Sequence, residues 1–323
     1  MTGRLAGPPT LAEIRDARRR IADLALRTPL VRLPLEDGPA EIWLKLENLQ
    51  PIGSFKIRGA GNAMARLSRE QLANGASTAS AGNMAQGVAW CARRLGIPCR
   101  VIVPDRAPAA KTSAVERLGG EIIRRPFAEW WDVLMTHDTG GVPGFFVHPV
   151  VNQDVIAGNG TIGLEILEDL PDVDAIIVPY GGGGLSCGIA AAVKAIRPEC
   201  RVYAAEVETA APLRASLAAG EVRAVDHTPS FVDGISGRSV LPDMWPLARQ
   251  LIDDSLVVSL EEVAAAIRLL VARARIVAEG AGAASVAAGL AGRAGSGRVV
   301  CVVSGGNLDA SRLATILEGK IPA

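Results

Sequence analysis

Behind Thr10, the apolar residues Leu11, Ile14, Ala17, Ile21, Leu24 and Leu26 recur at helical spacing, which predicts an opening helix that ends before Thr28-Pro29. The pattern then alternates. Short β-type runs fall at 42–46, 100–103, 121–123, 145–147, 175–178, 202–205, 256–258 and 299–303. Amphipathic or apolar helical stretches lie between them, at 57–67, 84–95, 109–118, 155–167, 185–195, 261–272 and 281–290. Strands and helices that take turns along a whole chain predict an α/β fold with a largely parallel sheet, because parallel strands need a crossover between them. No repeat, low-complexity tract or Pro/Ser-rich linker interrupts the chain. The most self-contained block runs from about Gly75 to His148, so a small domain over 75–149 is expected, inserted into a large one made of 1–74 and 150–323.

A chain of 323 residues has room for about two domains and a sizeable core. Its 34 Lys and Arg balance 34 Asp and Glu, and no basic stripe with interleaved aromatics occurs, which argues against a nucleic-acid partner. Charged residues break every stretch long enough to span a bilayer, and Met1 to Gly7 has no apolar leader core. A soluble, cytoplasmic protein with no membrane partner is expected. Cys91, Cys99, Cys187, Cys200 and Cys301 form no CxxC pair, so neither a zinc site nor a disulfide framework is expected. Glycine is in surplus, at 35 residues against 4% aromatics, which suggests tight turns and close backbone approach to a ligand.

Four segments are candidates for chemistry. In Ser54-Phe55-Lys56-Ile57-Arg58-Gly59-Ala60 a lysine sits between Phe and Ile where a helix would begin. Apolar neighbours strip water from an ammonium and leave an amine able to form a Schiff base; a lysine with its stem on the core and its head in water fits the same residues. Gly181 to Gly184 follow the strand at 175–178 and open an apolar helix at Leu185-Ser186-Cys187. Unobstructed N–H groups at a positive helix end make a phosphate cradle. The spacing is neither GxGxxG nor a P-loop, so one phosphate rather than a pyrophosphate is expected, and glycines serving only helix packing are the alternative. Ser80-Ala81-Gly82-Asn83-Met84 stands between a strand and a helix, with amides suited to a carboxylate or, more simply, with Asn83 as an N-cap. Ser304-Gly305-Gly306-Asn307 ends the last apolar strand in a loop of the same kind.

Taken in order, SFKIRGA, SAGNMAQG, GGGGL and SGGN resemble the threonine/serine dehydratase family, which uses pyridoxal 5'-phosphate (PLP), has the tryptophan-synthase-β type of fold (fold type II) and is related to serine racemase. The likeness runs from Thr28-Pro29-Leu30 through Leu44-Lys45-Leu46-Glu47-Asn48 to Asn307, and takes in Ile156 to Thr161, Asp233-Gly234 and Glu279 to Ala283. It implies two parallel-sheet α/β domains, the large one binding PLP and the 75–149 domain binding substrate. It also implies that Lys56 holds PLP covalently and later moves the substrate's Cα proton, while Phe55 lies against the ring, Asn83 bonds its 3'-oxygen and Gly234 lines its edge. Gly181, Gly182, Gly183, Gly184 and Leu185 would bind the phosphate, and Ser304 would share a hydrogen bond with the pyridine nitrogen. Glu279 belongs to the same cofactor-binding set, and Ser80, Ala81, Gly82, Asn83 and Met84 would hold the substrate carboxylate. A neutral hydroxyl at the pyridine nitrogen makes a weaker electron sink than a carboxylate, which favours β-elimination over transamination. The implied enzyme is a catabolic ammonia-lyase that turns L-threonine or L-serine into a 2-oxo acid and ammonia, as a homodimer or homotetramer with no partner beyond its small-molecule substrate.

The chain departs from the family at several points. Met84 stands where His is usual, Val150 follows His148-Pro149 where an aromatic or Asn is common, Tyr180 replaces a small aliphatic residue, and Trp130-Trp131 is an unusual pair for which one core ring and one partly exposed ring are expected. Met84 and Val150 motivate an alternative, the same elimination on a bulkier substrate such as phenylserine or hydroxyaspartate. A racemase is a third reading, but Ala81 occupies the position of a second serine in racemising relatives and has no proton to give. Metal-activated relatives bind a divalent ion at positions matching Glu206, Ala210 and Pro212. Proline has no side-chain oxygen, so no metal is expected and Glu206 is expected to be solvated, a carbonyl-held monovalent ion staying open. The sequence ends soon after a last helix at 310–317, so feedback by isoleucine through an added C-terminal domain is not expected. A non-catalytic PLP-binding protein and a plain nucleotide-binding α/β protein are the competing classes.

Overall fold

The computed structural model describes residues 5–322; Met1 to Arg4, part of the leader reading, and Ala323 lie outside the described residues. Along these, the elements are α1 (Leu11–Arg20), β1 (Leu30–Arg32), β2 (Glu41–Leu46), α2 (Lys56–Ala65), β3 (Ala76–Ala79), α3 (Asn83–Leu95), β4 (Cys99–Pro104), α4 (Ala109–Arg117), β5 (Gly120–Arg125), α5 (Phe127–Thr136), β6 (Phe145–Phe146), α6 (Gln153–Asp169), β7 (Ala175–Pro179), α7 (Gly184–Ile196), β8 (Arg201–Val207), α8 (Pro212–Ala219), α9 (Trp245–Leu251), β9 (Asp254–Val258), α10 (Leu260–Leu269), α11 (Gly280–Leu290), β10 (Arg298–Val303) and α12 (Ala310–Leu317). The chain is α/β, as its pattern predicts.

The chain divides into two compact units. One comprises residues 5–26 and 50–161 and holds four parallel strands in the order β5-β4-β3-β6. Its core joins α2 and α3 to the sheet through Ile57, Met64, Val88, Val101 and Val103. The predicted 75–149 block contains all four of these strands, and the unit also takes in α1, α2 and the start of α6.

The second unit, residues 27–49 and 162–322, has six strands in the order β1-β2-β10-β7-β8-β9, all parallel except β1, which runs antiparallel to β2. Strands β7 and β10 are apolar almost throughout and buried, as befits parallel strands covered on both faces. The apolar helix α11 packs on this sheet and is buried over nearly its whole length. A capping box of Ser259 and Glu262 starts α10, each satisfying the other's backbone N–H.

The opening helix is shorter than its spacing predicts: α1 ends at Arg20 and the chain continues in turns. Ile21 and Leu24 stay buried in those turns, which is why the periodicity outlasts the helix. Among the described residues, no helix is long and apolar enough to cross a membrane, and all five cysteines are buried and unpaired.

Candidate active site

Lys56 is the first residue of α2, and much of the unit's buried polar chemistry serves to hold that helix. A turn closed by Gly53 N–H to the Gln50 carbonyl delivers the chain, and the Ser54 hydroxyl accepts the Lys56 N–H at 3.4 Å. Just beyond, the buried Arg58 guanidinium donates to Thr161 Oγ1 and to the Leu26 carbonyl, both at 3.0 Å. Asn62 donates to the Asp154 carbonyl at 2.7 Å. Gly59 lets α6 approach so closely that a Cβ there would lie 2.8 Å from Val155. The half-buried Lys56 amine donates to the Pro149 carbonyl at 3.0 Å and lies 5.2 Å from the centre of the Phe55 ring.

Helix α3 packs against the same backbone, where a Cβ on Gly87 would stand 3.2 Å from the Lys56 carbonyl oxygen. This unit therefore brings Lys56 and the helix that carries Asn83 together. Asn83 is not the N-cap: Gly82 caps α3, and Asn83 is the first helical residue. The Ser80 hydroxyl accepts the Gly82 N–H at 3.2 Å, and residues 80–83 are half-buried, whereas the Met84 side chain is in the core. Met84 thus has only its backbone to offer a carboxylate.

In the second unit, strand β7 runs into Tyr180 and the glycine turn, and no side chain caps α7. Gly183 has φ +94°, a left-handed conformation that favours glycine, and a Cβ there would lie 3.0 Å from the Tyr180 hydroxyl. The other sequence-predicted residues of this unit gather beside the turn. A Cβ on Gly181 would come within 3.1 Å of the Gly234 carbonyl, and one on Gly234 within 2.9 Å of Ala281 in α11. Glu279, the N-cap of α11, donates its N–H to the Gly305 carbonyl at 3.0 Å, and a Cβ on Gly282 would press on Gly305 and Ser304. Ser304 is buried at the end of β10.

Glu206 corrects the sequence reading. It is fully buried rather than solvated, and it accepts the N–H groups of Leu213 and Arg214, each at 2.8 Å, and the Ser255 hydroxyl at 2.6 Å. Burial holds its carboxyl above the usual range against the pull of these donors. Its role is to cap α8, whose first residue, Pro212, has no N–H. Tyr180 is buried with no hydrogen-bond partner for its hydroxyl, and burial drives the phenol well above its ordinary pKa. Trp130 packs with Leu134 and Ile123 on a small core around Phe146, while Trp131 is exposed. In the sequence, His148 and Pro149 serve only as landmarks; the signal that could single them out is a polar residue and a proline closing the apolar run Phe145-Phe146-Val147.

The family model described as "Pyridoxal-phosphate dependent enzyme" matches residues 21–305. The L-threonine ammonia-lyase of Thermotoga maritima is 42% identical over 316 residues, 96% of this chain and 78% of that protein. Among solved structures, maize serine racemase superposes with a TM-score of 0.87 at 34% identity, covering 97% of this chain and 98% of that one. The processed form of threonine deaminase isoform 2 from Solanum lycopersicum superposes with a TM-score of 0.85 at 31% identity, over 98% of this chain and 97% of that one.

Proposed function

Because the chain belongs to the family of pyridoxal-phosphate dependent enzymes, we propose that it is an ammonia-lyase acting on a β-hydroxy-α-amino acid, first of all L-threonine or L-serine. The observation that carries the reading is the likeness to L-threonine ammonia-lyase across 96% of the chain. The residues present fit the cofactor: a helix start at Gly184, behind three more glycines and with no side-chain cap, suits a phosphate, and the buried neutral Ser304 suits a pyridine nitrogen.

In this reading Lys56 holds PLP through its amine. Gly181, Gly182, Gly183, Gly184 and Leu185 offer amides to the phosphate, Asn83 bonds the 3'-oxygen, Phe55 and Gly234 border the ring, Glu279 fixes the backbone beside it, and Ser304 meets its nitrogen. Ser80, Ala81, Gly82, Asn83 and Met84 hold the substrate carboxylate. When bound, PLP draws electrons from the substrate Cα, so that the Cα proton and then the β-hydroxyl can leave. Lys56, its amine freed once the substrate's amino group has taken its place on the cofactor, would take the Cα proton. The water lost at Cβ is regained when the released imine hydrolyses, so threonine yields 2-oxobutanoate and ammonia. Half-buried Val150, next to the carbonyl that receives Lys56, supports a second reading in which the substrate carries an aryl group at Cβ. The same proposal has the enzyme as a cytoplasmic homodimer or homotetramer; five buried, unpaired cysteines favour a reducing compartment.

The test is a panel of β-hydroxy amino acids assayed for 2-oxo acid release, with borohydride reduction to map the cofactor's attachment. Threonine or serine should turn over, with label on Lys56. Release from none of the panel, or label elsewhere, would sink the proposal.

A further inference from the structure

We propose that His148 is a positioning residue for Lys56, acting by fixing the Pro149 carbonyl as the partner of the lysine amine. The inference rests on the reading of Lys56 as the cofactor-bearing base.

The polar contacts of the His148 ring are to backbone. Nδ1 lies 3.0 Å from the Val150 N–H nitrogen and 2.7 Å from that of Val151, and Nε2 lies 3.0 Å from the Leu134 carbonyl oxygen. Two N–H groups aimed at Nδ1 require it to accept, so the ring proton sits on Nε2 and is donated to Leu134. The imidazole therefore staples the last turn of α5 to the turn at 149–151. The ring is buried, and the His137 ring stacks on it at 4.5 Å. Burial pushes its pKa down to about 3, which keeps it neutral and the staple intact at ordinary pH.

The other side of Pro149 is fixed as well. Val147 donates its N–H to the Ser77 carbonyl at 2.7 Å, and the Thr78 hydroxyl donates to the Val147 carbonyl at 2.8 Å, which ties the chain to β3 just before His148. After the turn, Asn152 Oδ1 accepts the N–H groups of Asp154 and Val155 at the start of α6. The Pro149 carbonyl is thus held from both ends, and Lys56 Nζ meets it at 3.0 Å. A fixed acceptor there orients one N–H of the amine, and with it the nitrogen itself. With both nitrogens committed to backbone, His148 has no lone pair or proton to lend to chemistry, so it shapes the base without being an acid or base itself.

The test uses the full chain stripped of PLP. At saturating PLP, the rate at which Lys56 closes its bond to the cofactor is followed by visible absorbance. His148→Phe keeps a ring and removes the staple; closure should slow by about tenfold, and kcat for threonine should fall by a similar factor with KM within about twofold. His148→Asn, whose amide oxygen can still accept from Val150 and Val151, should recover part of both. Wild-type closure and kcat in a folded His148→Phe would overturn the proposal. Should that variant not fold, His148→Asn decides alone: a slowing of about threefold is expected, and a wild-type rate overturns the idea. Absence of turnover of every β-hydroxy amino acid of the panel in the wild type would instead sink the ammonia-lyase reading, while the closure rates still judge His148.

Discussion

A buried neutral imidazole leaves a mark in acid. Position 148 has an unfolded pKa near 6.5 and a folded value of about 3, lowered first by burial and then by the His137 and Lys56 charges, with the Leu134 carbonyl opposing. Stability from this group is complete above pH 6.5 and is lost as pH falls toward 3, because the unfolded chain takes the proton first. Between pH 7 and pH 5 the loss should be about 2 kcal/mol, and urea unfolding of His148→Phe should show a flatter pH dependence than the wild type over that range. Glu206 suggests a second measurement. With its carboxylate already taken by two amides and a hydroxyl, chelator treatment should leave turnover within about twofold; a large loss restored by magnesium would contradict this. Ala81 suggests a third. Inverting Cα needs a proton donor on the face opposite Lys56, so wild-type enzyme should release little D-serine, and Ala81→Ser measurably more, on chiral chromatography after partial turnover in deuterated buffer. The sequence displays Lys56 and the glycine turn because their residue types are unusual for their places. It hides His148, since nothing in a lone histidine tells that both nitrogens are spent on backbone.

Among elements, legibility follows side-chain size. Branched runs such as Ile176-Ile177-Val178 and Val299-Val300 announce strands, but β3 is Ala-Ser-Thr-Ala, in which Thr78 is the one β-branched residue, so this strand is read only from its place before the Ser80 loop although all four residues are buried. The three-residue edge strand β1 is too short to show a period, and α8 and α9 are short helices that begin with proline in their first turn. Helix α5 escapes the pattern too, because its Trp pair stands out as an oddity before it reads as part of a helix. The turn before α7 is where an element's geometry is tightest. Gly183→Ala would combine a left-handed backbone with a methyl 3.0 to 3.3 Å from the Tyr180 side chain. The expected cost is about 1–2 kcal/mol of stability together with roughly tenfold weaker PLP binding, read by thermal melting and by fluorescence titration of the stripped chain.

At the scale of the molecule, alternating strands and helices disclose the α/β class, and of the first sheet they disclose β4, β5 and β6, which follow one another in sequence. They do not disclose the order of the six-stranded sheet, which depends on residues far apart: β10, at 298–303, lies between β2, at 41–46, and β7. That placement has a kinetic consequence. The β1-β2 pair waits with an open edge for a strand some 250 residues downstream, so a growing chain cannot close the second sheet until nearly all of it has been made. The strands of the first sheet span only 76–146 and can pair early, since short loops close at lower entropic cost. Pulsed hydrogen exchange on the refolding chain should find amides of β3 and β4 protected before those of β2 and β10, and simultaneous protection would rule this order out. A nascent chain halted before residue 298 would keep its unpaired β2 edge exposed, which makes that edge the place where holding chaperones or self-association would act first.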